Sequence, residues 1–248
     1  GIDLDVEGFE KAMAKQKERS KSARKFTGVS EAYKTLTSKG VKTAFNGYED
    51  ITGKSRVLII VKDNKEIKTA QKGDTIEIVT DATVFYAESG GQAGDTGIFE
   101  NQNCVINIID TLKDPTGIII HKGFVKKGEA KKGDSFDLKV NPVKRQNTAL
   151  NHSATHILHS ALRNVLGDHV KQSGSPVTDT RLRFDFTHFS SISAQEIQEI
   201  ENQVNLRIRE NHSIETKEMN IDEAVKEGAA ALFEEKYGDV VRVVSQGL

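Results

Sequence analysis

The sequence predicts an α+β protein in three parts: an N-terminal helix, a small antiparallel β-barrel, and a section where helices pack on a sheet. Three changes of residue pattern along the chain predict it. Residues 1–27 place Phe9 and Met13 at helical spacing and then turn almost wholly polar, like a helix whose packing partner lies elsewhere. Residues 28–140 open with a short polar link and then read as strands and tight turns. Arg56–Lys62, Thr75–Thr80, Cys104–Asp110, Gly117–His121 and Ser135–Val140 are short and rich in β-branched residues, with Gly, Asp and Asn between them. An internal echo, Lys72-Gly-Asp-Thr-Ile-Glu-Ile and Lys132-Gly-Asp-Ser-Phe-Asp-Leu, repeats a turn followed by an alternating strand. About eight to ten such strands with almost no helix close most naturally as a barrel, which removes exposed edges.

Residues 141–248 switch to a helical period. Asn141-Pro142 is a cap and first-turn pair, because Asn accepts an orphan N–H and Pro has none to satisfy. The helix it opens is expected to run to Gly167, with Leu150, Ala154, Ile157, Leu158, Ala161 and Val165 along its apolar stripe. Leu182, Phe184 and Phe186 alternate in Arg181–Phe186, predicting a half-buried strand. Ser193-Ala-Gln-Glu196 is a capping box for a second helix through about Glu210. A third helix is expected near Ile221–Tyr237, ending at Gly238 before a strand at Val240–Val244.

Composition bounds the function. The chain of 248 residues is 36% apolar and 29% charged, with no run long enough to span a bilayer, so no membrane partner is expected. No basic start followed by an apolar stretch directs secretion. The single cysteine, Cys104, excludes an internal disulfide and agrees with a reducing compartment, so the expected location is the cytoplasm. A net charge of −1 does not announce a nucleic-acid binder, although Lys11–Lys25, Lys126–Lys132 and Lys144-Arg145 are local basic runs that either contact phosphates or form solvated faces.

Two motifs carry chemistry. His152-Ser-Ala-Thr-His156 puts two imidazoles on one helix face at metal-sharing spacing, and His159 is one turn further along. The metalloprotease spacing needs Glu after the first His, where this chain has Ser153, so protease chemistry is disfavoured; the bland reading is a pair of surface histidines. Phe85–Gly97, FYAESGGQAGDTG, holds four glycines within eight residues, which lets backbone N–H groups approach a ligand closely. Gln92 in this loop is suited to orienting a water or a hydroxyl. The loop lacks the Lys-Ser/Thr ending of a phosphate cradle, and a glycine-rich barrel turn is the alternative.

Together these segments resemble the alanyl-tRNA synthetase editing domain. The resemblance rests on FYAESGGQAGDTG, on RQNTALNHSATHILHSALRNVLGDHVKQSGSPV (Arg145–Val177), on LRFDF (Leu182–Phe186) and on ALFEEKYGDVVRVV (Ala231–Val244), in that order. Gly8–Ala23 resembles the helix that joins the aminoacylation core to that domain, so residues 1–27 are expected to be a junction helix, 28–140 the barrel and 141–248 the editing core. The resemblance implies hydrolysis of misacylated Ser-tRNA(Ala) and Gly-tRNA(Ala), with the acceptor end of tRNA(Ala) and the rest of the synthetase chain as partners. The need is physical: a synthetic pocket for alanine cannot exclude the smaller glycine by size, and it rejects the extra hydroxyl of serine only weakly.

In that family zinc is held by the two histidines of a His-x-x-x-His pair and by a downstream Cys-x-x-x-His motif. The first two correspond to His152 and His156, and the second motif is expected just after Leu248. Cys104 lies in an alternating strand pattern and is read as a packed residue. The implied roles are Gln92 placing water or the terminal ribose, Thr155 testing for the serine hydroxyl, and Ser89, Gly90, Gly91 and Asp95 lining the substrate. Three rivals remain: a non-catalytic tRNA-binding module, a freestanding editing factor, which the junction helix argues against, and an unrelated metal-dependent hydrolase, which the ordered motifs disfavour.

Overall fold

Alternation of apolar residues with period two builds a closed barrel in the first half of the chain. The computed structural model describes residues 8, 9, 13, 31–38, 40–228 and 239–246, which fall into two units: residues up to Ala87 with Thr96–Lys139, and Glu88–Asp95 with Val140 onward. Gly8, Phe9 and Met13 are helical, and the rest of the expected helix over 1–27 lies outside the described residues.

The first unit contains α1 (Glu31–Ser38), β1 (Ala44–Phe45), β2 (Thr52–Lys62), β3 (Lys65–Ile67), β4 (Thr69–Gln71), β5 (Thr75–Thr80), β6 (Ala82–Thr83), β7 (Gly97–Glu100), β8 (Val105–Lys113), β9 (Ile119–Lys127), β10 (Glu129–Lys131) and β11 (Ser135–Val140). Six strands in the order β11-β7-β8-β9-β5-β2 form one antiparallel sheet, and the β11–β2 pairing, Ser135 opposite Arg56 to Lys139 opposite Thr52, closes it. β11 alternates buried and exposed along its length, with Phe136, Leu138 and Val140 inside. The sequence offers only a polar link at 31–38, but Tyr33 and Leu36 pack there against Ile59, Val61, Val79 and Ile120. Two apolar residues one turn apart are too little for periodicity to register; the barrel surface supplies the stability that the helix lacks alone.

The sequence echo has a structural meaning. Gly73 and Gly133 adopt φ of +93° and +92°, the left-handed region that glycine enters without cost from a Cβ. Gly73 N–H donates to the Val125 carbonyl while Val125 N–H returns a bond to Asp74, and Gly133 and Asp134 make the same two bonds with Val57. In each turn the aspartate carboxylate also accepts the N–H three residues earlier, Gln71 or Lys131. Between the turns β4 pairs antiparallel with β10, Ala70 opposite Ala130, both fully buried. The two halves of the barrel thus brace each other through the same short motif used twice.

At the barrel centre the rings of Phe85, Phe99, Phe136 and His121 pack edge to tilted, with His121 4.9 Å from Phe99 and 5.6 Å from Phe85. His121 is fully buried; its Nδ1–H donates to the Ile78 carbonyl at 3.1 Å and its Nε2 accepts from the Thr83 hydroxyl at 2.8 Å. Both ring nitrogens are satisfied in the neutral form. Burial pushes its pKa from the ordinary 6.5 down to about 4. Between those values the unfolded chain binds a proton that the folded chain refuses, so stability falls as pH drops from about 6.5 to about 4 and levels off below. The expected loss is about 3 kcal/mol. Urea unfolding at pH 7.5 and 4.5 measures it, and His121→Gln is expected to remove this part of the slope.

The second unit contains α2 (Pro142–Leu166), β12 (Gln172–Gly174), β13 (Asp185–Phe186), α3 (Ala194–Glu210), β14 (Ile214–Asn220), α4 (Ile221–Lys226) and β15 (Val240–Gln246). Asn141 caps α2, its side chain accepting the Lys144 N–H, Pro142 opens the first turn, and Gly167 at φ +112° ends the helix. Ser193 and Glu196 form the expected capping box of α3. The helices pack through Ala161, Leu162 and Ile200 around Val170, with Leu158, Phe184 and Phe186 against them. β14 and β15 pair antiparallel from Ile214 opposite Gln246 to Asn220 opposite Val240.

One expectation is corrected. The strand expected over Arg181–Phe186 is confined to Asp185–Phe186, because Thr178 N–H bonds the Arg181 carbonyl in a turn that Val177 and Leu182 close with a single bridge. The third helix, expected near Ile221–Tyr237, is present over Ile221–Lys226, after which Gly228 turns to φ +88° and donates to the Val225 carbonyl; the rest of that expectation, residues 229–238, lies outside the described residues.

Candidate active site

The glycine-rich loop is built as a tight turn that presents Gln92. Ser89 and Gln92 exchange both backbone hydrogen bonds, at 3.2 and 3.0 Å, across the central residues Gly90 and Gly91 at φ +59° and +86°. Two successive positive φ values define the mirror-image hairpin turn, which is why two glycines stand side by side. Val177 then clamps the loop from the other side, its N–H donating to the Gly91 carbonyl and its carbonyl accepting from Ala93. A Cβ on Gly91 would stand 2.2 Å from the Ser175 carbonyl oxygen, whereas nothing lies within 4 Å of one on Gly90. Gly91 is therefore the seat of the loop and Gly90 its open side. Gly91→Ala is expected to dislodge the loop at a cost of about 1–3 kcal/mol, measured by urea unfolding, while Gly90→Ala meets no neighbour and costs only its φ strain.

So seated, Gln92 reaches α2. Its Oε1 accepts a hydrogen bond from His152 Nδ1 at 2.6 Å. That bond fixes the imidazole and leaves the Nε2 lone pair as the group His152 offers. The His152 and His156 rings lie parallel, 5.1 Å apart and 17° from coplanar, as residues four apart on a helix must. Partial burial holds both below the ordinary histidine value; each is lowered further by its next neighbour, His156 for the first and His159 for the second. Neutral imidazoles with available lone pairs are what a metal or a proton transfer requires. His159 is buried instead of joining the open face, its ring 5.0 Å from that of Phe184 and its Nε2 without a hydrogen-bond partner.

Other sequence-selected residues take supporting positions. Asp95 is buried, 7% exposed, and both its oxygens accept from Arg145 Nε, at 3.0 and 2.9 Å, with a further bond from the guanidinium NH2. Thr155 is buried, and its hydroxyl donates to the Asn151 carbonyl at 2.8 Å, while Asn151 holds the Thr178 carbonyl. Ser89 and Gly90 are exposed at the rim. Cys104 is a packed residue of the barrel unit, its thiol pushed up to about 11 by burial and so unreactive. Sequence reasoning missed Arg145, Ser175 and Val177 as parts of the site; all three lie inside the quoted motif Arg145–Val177, but nothing local marks them. Among the described residues no group of three or more His, Cys, Asp or Glu comes together, so His152 and His156 are the pair available to a metal and a four-coordinate zinc needs two further ligands.

A family model described as tRNA synthetases class II (A) matches residues 1–143. The chain belongs to this class II (A) tRNA synthetase family. It is similar to the alanine–tRNA ligase of Desulfosudis oleivorans, 51% identical over 244 residues, which are 98% of this chain and 28% of that protein. It is likewise 46% identical over 247 residues to the alanine–tRNA ligases of Thermoanaerobacter sp. and Nitrosomonas eutropha. The chain spans about 28% of the length of these synthetase relatives, and the matches cover 98% or more of the chain itself. No described helix is long and apolar enough to cross a membrane.

Proposed function

We propose that this segment is the cytoplasmic synthetase's editing part, which hydrolyses the ester of Ser-tRNA(Ala) and Gly-tRNA(Ala) and spares Ala-tRNA(Ala). The observation that carries the reading is the Gln92–His152 bond, which joins the glycine-rich turn to the histidine face of α2. A turn with an open glycine side gives the acceptor end room to approach backbone N–H groups, and the histidine face stands beside it.

The reaction adds water to the aminoacyl carbonyl and breaks the bond to the terminal ribose oxygen, which leaves with a proton; the products are free amino acid and tRNA. In this reading Gln92 keeps His152 in one tautomer and one orientation, which leaves its Nε2 lone pair available at the reacting side. Ser89, Gly90 and Gly91 line the approach, Asp95 holds the end of the loop through Arg145, and Thr155, which lies between the two histidines in sequence, reads the serine hydroxyl. His152 and His156 would hold zinc, with the remaining ligands supplied from outside the described residues; bound there, zinc supplies Lewis-acid polarisation.

Hydrolysis of Ser-tRNA(Ala) against Ala-tRNA(Ala), with zinc supplied and with a chelator added, tests this. Selective loss of the serine ester supports editing, and a chelator-sensitive rate supports the metal. Salt-sensitive tRNA binding without turnover would instead favour the binding-module reading.

A further inference from the structure

We propose that Phe189, backed by His169 and His188, is a stacking platform for an unpaired base of single-stranded RNA; assigning that RNA to the tRNA acceptor end rests on the substrate reading above. Phe189 is 87% exposed, the most open large apolar side chain among the described residues. Its ring is nevertheless fixed: it lies 4.5 Å from that of His169, 29° from parallel. His169 is held in turn by a 2.9 Å hydrogen bond between its Nε2 and His188 Nδ1, and Ser190 Oγ approaches the far nitrogen of His188 at 3.4 Å. One face of the phenyl ring is therefore occupied by an oriented imidazole and the other is open.

The surroundings decide what that open face fits. Thr187, His188, Ser190 and Ser191 flank Phe189 in the chain, so this ring stands in a polar loop. A protein partner needs apolar area around its anchor. A nucleobase needs one flat π face with hydrogen-bonding groups at its edge. Lys171 is exposed on the adjoining segment, where its carbonyl accepts the Thr187 N–H, and adds positive charge suited to phosphate. The platform also has the right reach. His169 follows the Gly167 stop of α2, and the helix from His156 to Leu166 rises only about 15 Å, a span that a few unpaired nucleotides cross.

The chain contains no tryptophan, so Phe189→Trp installs the sole reporter of the platform. Its fluorescence is expected to be quenched by a short single-stranded RNA ending in CCA. Phe189→Ala is expected to weaken binding of that RNA by about 5- to 150-fold without changing the dependence on salt. The concentration of Ser-tRNA(Ala) that gives half-maximal single-turnover hydrolysis should rise by the same factor. Unquenched fluorescence together with wild-type affinity in Phe189→Ala would overturn the platform. RNA binding that depends on Phe189 in a chain that hydrolyses nothing would leave the platform standing and remove the hydrolytic reading. Selective serine-ester hydrolysis with unaltered RNA affinity in Phe189→Ala would do the reverse.

Discussion

Gln92→Ala is expected to slow hydrolysis of Ser-tRNA(Ala) by about 10²- to 10³-fold, the loss typical of removing one preorganised polar group from a reacting centre. The side chain is half-buried and its Oε1 accepts from His152 Nδ1. Without it the imidazole keeps its place on α2 but loses the bond that sets its tautomer and ring orientation. The backbone of the turn does not depend on the side chain, because Ser89, Gly91 and Ala93 hold it through main-chain bonds with Gln92 and Val177. The variant should therefore unfold in urea within about 1 kcal/mol of wild type, a typical margin for a side chain that is not in the core. A large fall in rate with unchanged unfolding places Gln92 in the reacting centre. Wild-type rates in Gln92→Ala would remove both it and its bond to His152 from the mechanism.

Arg145→Ala is expected to be the most destabilising polar substitution in the second unit, at about 3–5 kcal/mol. The Asp95 carboxylate is 7% exposed and accepts charge-assisted bonds from the Arg145 guanidinium on both oxygens. Removing the arginine leaves a buried charge with that partner gone, and the penalty is the stranded group more than the lost attraction. Arg145→Lys keeps the charge but cannot reproduce the fork on both oxygens, so it should recover only part of the loss. In the double variant Asp95→Ala/Arg145→Ala no charge is stranded, and it is expected to be more stable than Arg145→Ala alone. Urea unfolding of wild type, Asp95→Ala, Arg145→Ala and the double variant in a double-mutant cycle measures the coupling; simple additivity would show that the pair is incidental. The same substitution should lower serine-ester hydrolysis, since Asp95 anchors the end of the loop that presents Gln92.

How much of this was legible beforehand depends on the range of the interaction. The long helix was readable to its ends because its signals are local: a capping Asn141, Pro142 in the first turn, a 3.6-residue stripe and Gly167 at the stop. The capping box at Ser193 and the strands at Thr75–Thr80 and Ser135–Val140 were readable for the same reason. The paired Gly-Asp turns were visible as a repeat, but not that each turn would grip a valine of the other half. The run Arg181–Phe186 alternates like a strand yet is mostly not one, since a strand needs a partner and a turn at Thr178–Arg181 takes that partner away.

Of the site, the sequence by itself determined the ingredients: two glycines that permit the tight turn, a glutamine after them, and two imidazoles on one helix face. Tertiary structure alone decided their assembly. Gln92 meets His152 across 60 residues of chain and Arg145 meets Asp95 across 50. Neither bond has a spacing rule, because contacts at that separation are set by how the packed elements close the intervening loop, not by the period of any helix or strand. The same holds for His121, an ordinary strand residue in the sequence, which only the closed barrel strips of water and holds neutral. Local hydrogen bonds and periodic burial specify the elements; desolvation and long-range pairing, which exist only once those elements pack, specify the chemistry.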